Sequence, residues 1–485
     1  MKLNRVRRRR RDLQKAAADE DRDRLSKLPN DLLLNILERV DTLDALRACI
    51  LSKRMWNLPT MLSQIVILLG PRDLFRMNGS VADVTDKILR TRSPQITLCK
   101  LKVRFILRLD DCLYIGKSVS FAMATQKLDA AEFEISTQTS SDRCTKADFL
   151  RYAKQFKRFL GGCPDAFAGL TRLHLQNMSF REPDIPNILC TCKRLESLRL
   201  FQCDAGINSD SVVKVEHARL VELDITFAGF MTMELNFLPK LEHLTYDNWP
   251  CDQNPLVLDF VPQLSKLNLT NSALSDKTIV LRHLLASAPS ISDLHLDFQN
   301  EKIWVQPERP KLLAPPVLDK LRIVNFDNLR EGCDIGWTIF ILEAAPSLQE
   351  LCVTVSGHRC PMNRTFSEET DVKWETSVAD LKHKNLSKLT IHGFQSDNSF
   401  TGYVRRIMEA SMNLKEVSLH DWKVCKRCTG PKVNTEDVCL SRYPRTSEEK
   451  CLLRKKISEG LMMASPAVIH FAPPCFILPR VVKSF

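Results

Sequence analysis

Leu195-Glu196-Ser197-Leu198-Arg199-Leu200 is the stretch that decides the fold. Its apolar residues stand at the first, fourth and sixth places. The same spacing returns at Leu170/Leu173/Leu175, Leu220/Leu223/Ile225, Leu241/Leu244/Tyr246, Leu264/Leu267/Leu269 and Ile291/Leu294/Leu296. It returns again at Leu318/Leu321/Ile323, Leu348/Leu351/Val353, Leu386/Leu389/Ile391 and Leu414/Val417/Leu419. Successive starts lie 21 to 30 residues apart, with one interval of 38 before Leu386. A short apolar hexamer at a steady period marks a repeated structural unit that cannot bury its greasy face alone and stacks on its neighbours.

A period of ~20–29 residues with this hexamer is the leucine-rich-repeat pattern. Pro239, Pro262, Pro289, Pro316 and Pro346 each stand two residues before a start, where proline ends the incoming segment and favours an extended exit. Stretches such as 278–286 and 338–345 read as helix, so each unit is a strand plus a helical or irregular return. Two weaker units precede the array, at Leu98/Leu101/Val103 and at Leu128, Ala131, Phe133 and Ile135, with a helix over 118–127 between them. Thr145-Lys146-Ala147-Asp148 reads as a capping box opening a helix that buries Phe149, Phe156 and Leu160, stopped by Gly161-Gly162 and Pro164. The eighth place of each unit carries a loop-satisfying Asn or Cys in the usual pattern. Here it holds Met178, Ala228, Trp249, Ser272, Gln299, Phe326, Ser356, Phe394 or Trp422, and only Cys203 conforms. Apolar plugs replace the polar ladder, which predicts an irregular array.

Ahead of the array, Leu28-Pro29 opens a compact helical pattern. Leu32, Leu33, Ile36, Leu37 and Val40 recur at helical spacing, with Pro29 in the first turn. Asp41 can cap a second helix carrying Leu43, Leu46 and Ile50 on one face. Ser52 starts a third short turn with Met55 and Trp56, ended by Pro59. About forty residues this apolar make a poor lone domain, which points to a covering partner.

Charge is unevenly placed. Residues 1–15 carry Lys2, Arg5, Arg7 to Arg11 and Lys15 against Asp12, which accounts for most of the formal +12 of the 485-residue chain. The body is therefore no strongly basic nucleic-acid binder. The tail reads as solvated and disordered, or as a nuclear-import or RNA-binding arm. The 17 cysteines are odd in number and scattered, the first twenty residues lack an apolar core, and no apolar run reaches ~18 residues. A reducing compartment, cytoplasmic and/or nuclear, with no membrane partner, is expected. Cys425 and Cys428 form a lone pair without a second close pair, so no metal is expected. No phosphate loop or hydrolase elbow is present, so the expectation is a chain with no cofactor and no catalytic residues.

The module at 24–64 resembles an F-box through Leu28, Pro29, Leu32, Leu33, Ile36, Leu37, Ala48, Leu51, Ser52, Arg54 and Trp56. The run Asn385-Leu386-Ser387-Lys388-Leu389-Thr390-Ile391-His392-Gly393-Phe394, with 404–410 and 414–419, resembles the FBD region of plant F-box/LRR proteins. The resemblance implies an α/β chain: a basic tail (1–23), a three-helix F-box (24–64), leucine-rich repeats (90–380) with a parallel β-sheet on the concave face of an irregular solenoid, FBD-like terminal repeats (381–425) and a C-terminal cap or tail (426–485). It implies a non-catalytic substrate receptor of an SCF ubiquitin ligase. Leu28, Pro29, Leu32, Ile36, Leu37 and Leu51 would dock a Skp adaptor, and through it cullin and RING subunits. Alternation along each strand turns Arg172, His174, Arg199, Phe201, Asp224, His243, Asp293, His295 and Arg322 away from the core, as candidates for target binding. A free-standing repeat scaffold, and a nuclear nucleic-acid binder acting through Arg7 to Arg11, are the alternatives.

Overall fold

The computed structural model describes residues 28–40, 42–50, 55, 57–206, 212–249, 256–271, 278–300, 303–307, 318–356, 381–422, 441–461 and 467–472. They fall into two units: Met1–Arg143 with Arg151–Leu175 and Thr191–Leu195, and Cys144–Leu150 with Gln176–Cys190 and Glu196–Phe485. The basic tail, Leu51, Cys425 and Cys428 lie outside the described residues. Among the described residues no helix is long and apolar enough to cross a membrane.

The first unit opens with two helices, α1 (Asn30–Leu37) and α2 (Thr42–Ile50), and a 3-10 turn, Leu58–Met61. Four parallel strands come next: β1 (Gln64–Ile67), β2 (Leu98–Ile106), β3 (Leu128–Ser136) and β4 (Arg172–Gln176), paired in chain order. Parallel neighbours need crossover connections, and helices supply them. Helix α3 (Pro71–Thr91) links β1 to β2 and α4 (Leu109–Thr125) links β2 to β3. Two of these elements exceed what the spacing predicts. The apolar residues Ile65 to Ile67 lie in a strand, Gln64–Ile67, and the helix expected over 118–127 starts nine residues earlier. Phe105, Phe133, Phe156, Phe159 and Phe167 meet edge-on or stacked, with centroids 4.9–6.1 Å apart, and form the core between sheet and helices.

Helix α5 (Lys146–Gly162) begins at the expected capping box. The Asp148 amide donates to Thr145 Oγ1 at 3.2 Å, and the Thr145 amide donates back to Asp148 Oδ2 at 3.0 Å. The helix continues through Gly161 and Gly162 before Pro164 opens a new short turn.

The second unit stacks β5 (Ser197–Phe201), β7 (Glu222–Thr226), β9 (His243–Trp249), β11 (Lys266–Asn271), β12 (Asp293–Asp297), β13 (Ile323–Arg330), β14 (Glu350–Ser356), β15 (Lys388–His392), β16 (Glu416–His420) and β17 (Val468–Ala472) in one parallel order. The α/β class and the one-strand-per-repeat ladder are as the spacing predicts. Leu198, Leu223, Leu244, Leu267, Leu294, Leu351, Leu389 and Val417 align across the rungs, all buried. One register does not match. Val324, not Leu321, pairs with Leu294 and Leu351, so that repeat starts at Leu321 rather than Leu318. Leu318, Leu321 and Val324 are all buried and each is three residues from the next, so two overlapping hexamers compete and neighbouring strands select the later. Arg322 thereby moves out of the outward row, which here is Ile323, Asn325 and Asp327.

The returns also differ from expectation. Between Val212 and Leu258 they are strands: β6 (Val212–Glu216), β8 (Thr232–Phe237) and β10 (Leu256–Leu258) form a second parallel sheet in the order β10-β8-β6. Val212-Val213-Lys214-Val215 alternates with period two and is β-branched, which favours an extended chain over a helix. Further on, the helices expected over 278–286 and 338–345 shrink to α8 (Leu281–Leu285) and α9 (Phe340–Ala344), after α6 (Pro164–Ala168) and α7 (Asp184–Thr191) earlier in the chain. Met178, Ala228 and Phe394 are buried plugs, as expected, whereas Trp422 is half-buried. The loop backbone is satisfied by neighbouring turns. Asn177 N donates to Phe201 O, Gln202 N to Thr226 O, and Gly229 N to Cys203 O, at 2.9–3.0 Å. Asn177, Gln202 and Phe227 hold φ of 55°, 48° and 52°, the same left-handed turn in each.

The terminal repeats are closed by α10 (Asn398–Ala410), α11 (Ser447–Ser458) and β17. Helix α11 starts at a capping box, Thr446 with Glu449. Gly393 (φ +80°) turns the chain after β15, and a Cβ there would run into the Val355 carbonyl oxygen and lie 2.7 Å from Trp422 Cδ1. Gly402, inside α10, has nothing within 4 Å of its virtual Cβ. Gly393→Ala is expected to cost ~2 kcal/mol or more in urea denaturation, and Gly402→Ala to gain up to ~1 kcal/mol through helix propensity.

Candidate functional site

Two surfaces are candidates, and each is built from residues whose neighbours hold it open. The first is the amino-terminal module. Leu33, Leu37, Ala45, Cys49, Met55, Leu58 and Leu62 form its own core, with Leu28, Leu34 and Ala48 partly buried against it. Small residues, Ala45 and Cys49, form the buried face of α2, rather than Leu43 and Leu46, which are half-buried. Pro29 sits just ahead of α1, at its N-cap, where its carbonyl accepts from Leu33 N at 3.0 Å. Pro59 lies inside the 3-10 turn instead of ending it.

Hydrogen bonds brace the module against β1 and the segment leading into β2. The Glu38 carboxylate accepts from Ser63 N at 2.8 Å and Ser63 Oγ at 2.6 Å. Val66 N donates to Thr42 Oγ1 at 2.7 Å, and buried Arg92 donates to Leu62 O. Burial pushes the Arg92 guanidinium pKa down, and three backbone carbonyls, those of Leu62, Ile96 and Thr97, receive its donors.

With the core closed and the base braced, a stripe is left outside. Leu32 and Ile36, one turn apart on α1, and Val40, three residues past its end, are 49%, 42% and 47% exposed, and Met61 is exposed as well. Of the residues expected to dock an adaptor, Leu32, Ile36 and Pro29 are exposed and Leu28 is half-buried. Leu37 is 5% exposed and belongs to the core. Period 3.6 explains the split, because residues i and i+4 share a face and Leu37 is one step around from Ile36. Val40 and Met61 extend the exposed set beyond those residues. Val40 is visible in the sequence as the next i+4 position, whereas Met61 depends on the 3-10 turn.

The second surface is the outward face of the strands. In the second unit Arg199 Nε lies 3.2 Å from Asp224 Oδ2, and Phe201 meets Phe227 edge-on at 5.8 Å. His243 is exposed on β9; Asp293 pairs with Lys266 at 3.6 Å and His295 with Asp327 at 3.2 Å. Burial and the adjacent Asp327 carboxylate hold Asp297 above the usual carboxylate range, although Asn328 Nδ2 and Gln299 N donate to it at 2.9 and 2.8 Å. Charges of both signs alternate along this ladder.

In the first unit Arg172 and His174 join a denser lattice. Lys100, Lys102 and Arg104 on β2 and Arg172 on β4 surround Glu132 and Glu134 on β3. Arg104 Nη2 is 2.7 Å from Glu134 Oε1, Lys100 Nζ 3.1 Å from Glu132 Oε1, and Lys102 Nζ 3.6 Å from both carboxylates. Arg172 Nε and His174 Nδ1 approach Glu132 and Glu134 at 3.7 and 3.9 Å. The period-two runs Lys100-Leu101-Lys102-Val103-Arg104 and Glu132-Phe133-Glu134 carry this signal in the sequence. The lattice appears only when β2 and β3 are in register.

Residues 163–457 match a family described as "At1g61320/AtMIF1, LRR domain", and residues 25–55 match the F-box domain. The chain belongs to this LRR-domain family. An F-box and a leucine-rich-repeat domain of the plant type are therefore joined in one chain. The F-box/FBD/LRR-repeat protein At4g26340 of Arabidopsis thaliana is 24% identical over 292 residues, 57% of this chain and 60% of the relative. The chain thus spans about three fifths of that relative's length.

The lattice also yields a stability test. Arg104 and Glu134 side chains are 11% and 10% exposed, whereas Lys100 is 40% exposed. Arg104→Met strips a buried carboxylate of its shortest ion pair and is expected to cost ~2–4 kcal/mol in urea denaturation, against less than ~0.5 kcal/mol for Lys100→Met.

Proposed function

We propose that this chain is the target-recognition subunit of an SCF-type ubiquitin ligase. The amino-terminal module docks a Skp adaptor, which brings cullin and RING subunits, and the outward faces of the strands hold a target protein. The chain itself contributes binding and orientation, with the transfer chemistry done by other subunits.

One observation supports this above the others. The module completes its core with Leu33, Leu37, Ala45 and Cys49 and still leaves Leu32, Ile36 and Val40 in solvent. An apolar stripe kept out of a core that has closed without it is a surface suited to another polypeptide. Leu28, Pro29 and Leu51 flank it in sequence as further contacts, and Leu37 supports it from within.

Because the stripe is solvent-exposed, it can be changed without touching the fold. Leu32→Asp with Ile36→Asp is expected to abolish co-purification with a Skp adaptor while leaving circular dichroism and the urea midpoint unchanged. Leu33→Asp is expected to unfold the module instead. Normal adaptor binding by the folded double variant would end the docking assignment.

A further inference from the structure

Resting on the receptor assignment above, we propose that the outward face of β2, β3 and β4 docks an acidic stretch of the target protein, with carboxylates held by Lys100 and Arg172. The face carries Lys100, Lys102, Arg104 and Arg172 against Glu132 and Glu134, a formal surplus of two positive charges before His174 is counted. The four cations have different exposures. Arg104 and Lys102 are 11% and 28% exposed and lie deep between the glutamates, whereas Lys100 and Arg172 are 40% and 58% exposed.

Lys100 and Arg172 come from strands two apart, and both approach the same oxygen of Glu132, at 3.1 and 3.7 Å. Their head groups therefore lie within about 7 Å of each other, on either side of β3. Glu132 orders two long side chains in advance, so a ligand meets cations already in place, with less ordering cost on binding.

The same carboxylate selects the kind of anion. A phosphate bridging Lys100 and Arg172 would sit over Glu132, placing a double negative charge against a carboxylate that is 10% exposed. Two single carboxylates, each approaching one cation from its solvent side, avoid that repulsion. In an extended chain, side chains at i and i+2 share a face about 7 Å apart, which suits the two cations. Glu132 and Glu134 likewise interrupt any continuous track for a nucleic-acid backbone.

Fluorescence anisotropy on the purified full chain at low salt tests this with three labelled peptides: (Gly-Asp)4, (Gly-Asn)4 and Gly-Gly-phosphoserine-Gly-Gly. Binding of (Gly-Asp)4, and not of (Gly-Asn)4, is expected. The variant K100Q/R172Q should weaken it at least ~10-fold. Both altered cations are solvent-facing, and circular dichroism checks the fold; Arg172→Gln alone should still weaken binding at least ~3-fold. Replacing Arg7, Arg8, Arg9, Arg10 and Arg11 by serine should leave the affinity unchanged. Equal binding of both glycine peptides, an unaffected K100Q/R172Q, loss of binding in the serine variant, or tighter binding of the phosphoserine peptide would each overturn the proposal. Adaptor co-purification, which K100Q/R172Q should not alter, reports separately on the receptor assignment.

Discussion

Strand register is the constraint on which the second unit depends. Each repeat offers a triplet of apolar side chains to the core and cannot cover it alone, so every rung is stable only in alignment with the rungs beside it. A slip by one residue would send Leu223, Leu244 or Leu267 into solvent and drive Asp224 or Asn268 inward. The competition at Leu318, Leu321 and Val324 shows the constraint at work. All three are buried, and the pairing of Val324 with Leu294 on one side and Leu351 on the other determines where the repeat starts.

The same register makes the outward faces. Because alternation is strict, residues that do not serve the core are delivered in rows, and charges that are distant in sequence become neighbours. Glu132 and Glu134 are buried on that face because β2 and β4 bring cations to both sides of them. The amino-terminal module obeys a different periodicity with the same outcome: the i, i+4 spacing separates Leu33 and Leu37 from Leu32 and Ile36 on one short helix.

Much of this is legible in the sequence, and the exceptions have physical causes. The hexamer repeats, the capping box at Thr145 and the apolar character of 28–40 depend on local pattern and are readable. Leu37 is a docking residue by the F-box resemblance alone, which does not say which side of this helix faces inward. The strands of the second sheet escape notice because a period-two run such as Val212-Val213-Lys214-Val215 is short and lies where a helix is the usual return. The ion lattice is hidden because its partners lie 30 to 40 residues apart and meet only through pairing. Gly393 can be noticed but not weighed, since the Val355 carbonyl that excludes a side chain there comes from the neighbouring rung.

The left-handed turns at Asn177, Gln202 and Phe227 are spaced 25 residues apart and share one backbone conformation. Asn177 and Gln202 each hand their amide to the carbonyl just ahead of the next turn, so the chain is cut into segments with matching ends. Excision or duplication of a 25-residue segment between two of these turns rejoins like geometry to like. Such a chain can change its reach by whole steps during gene evolution, while single-residue insertions at the same places would break the backbone ladder.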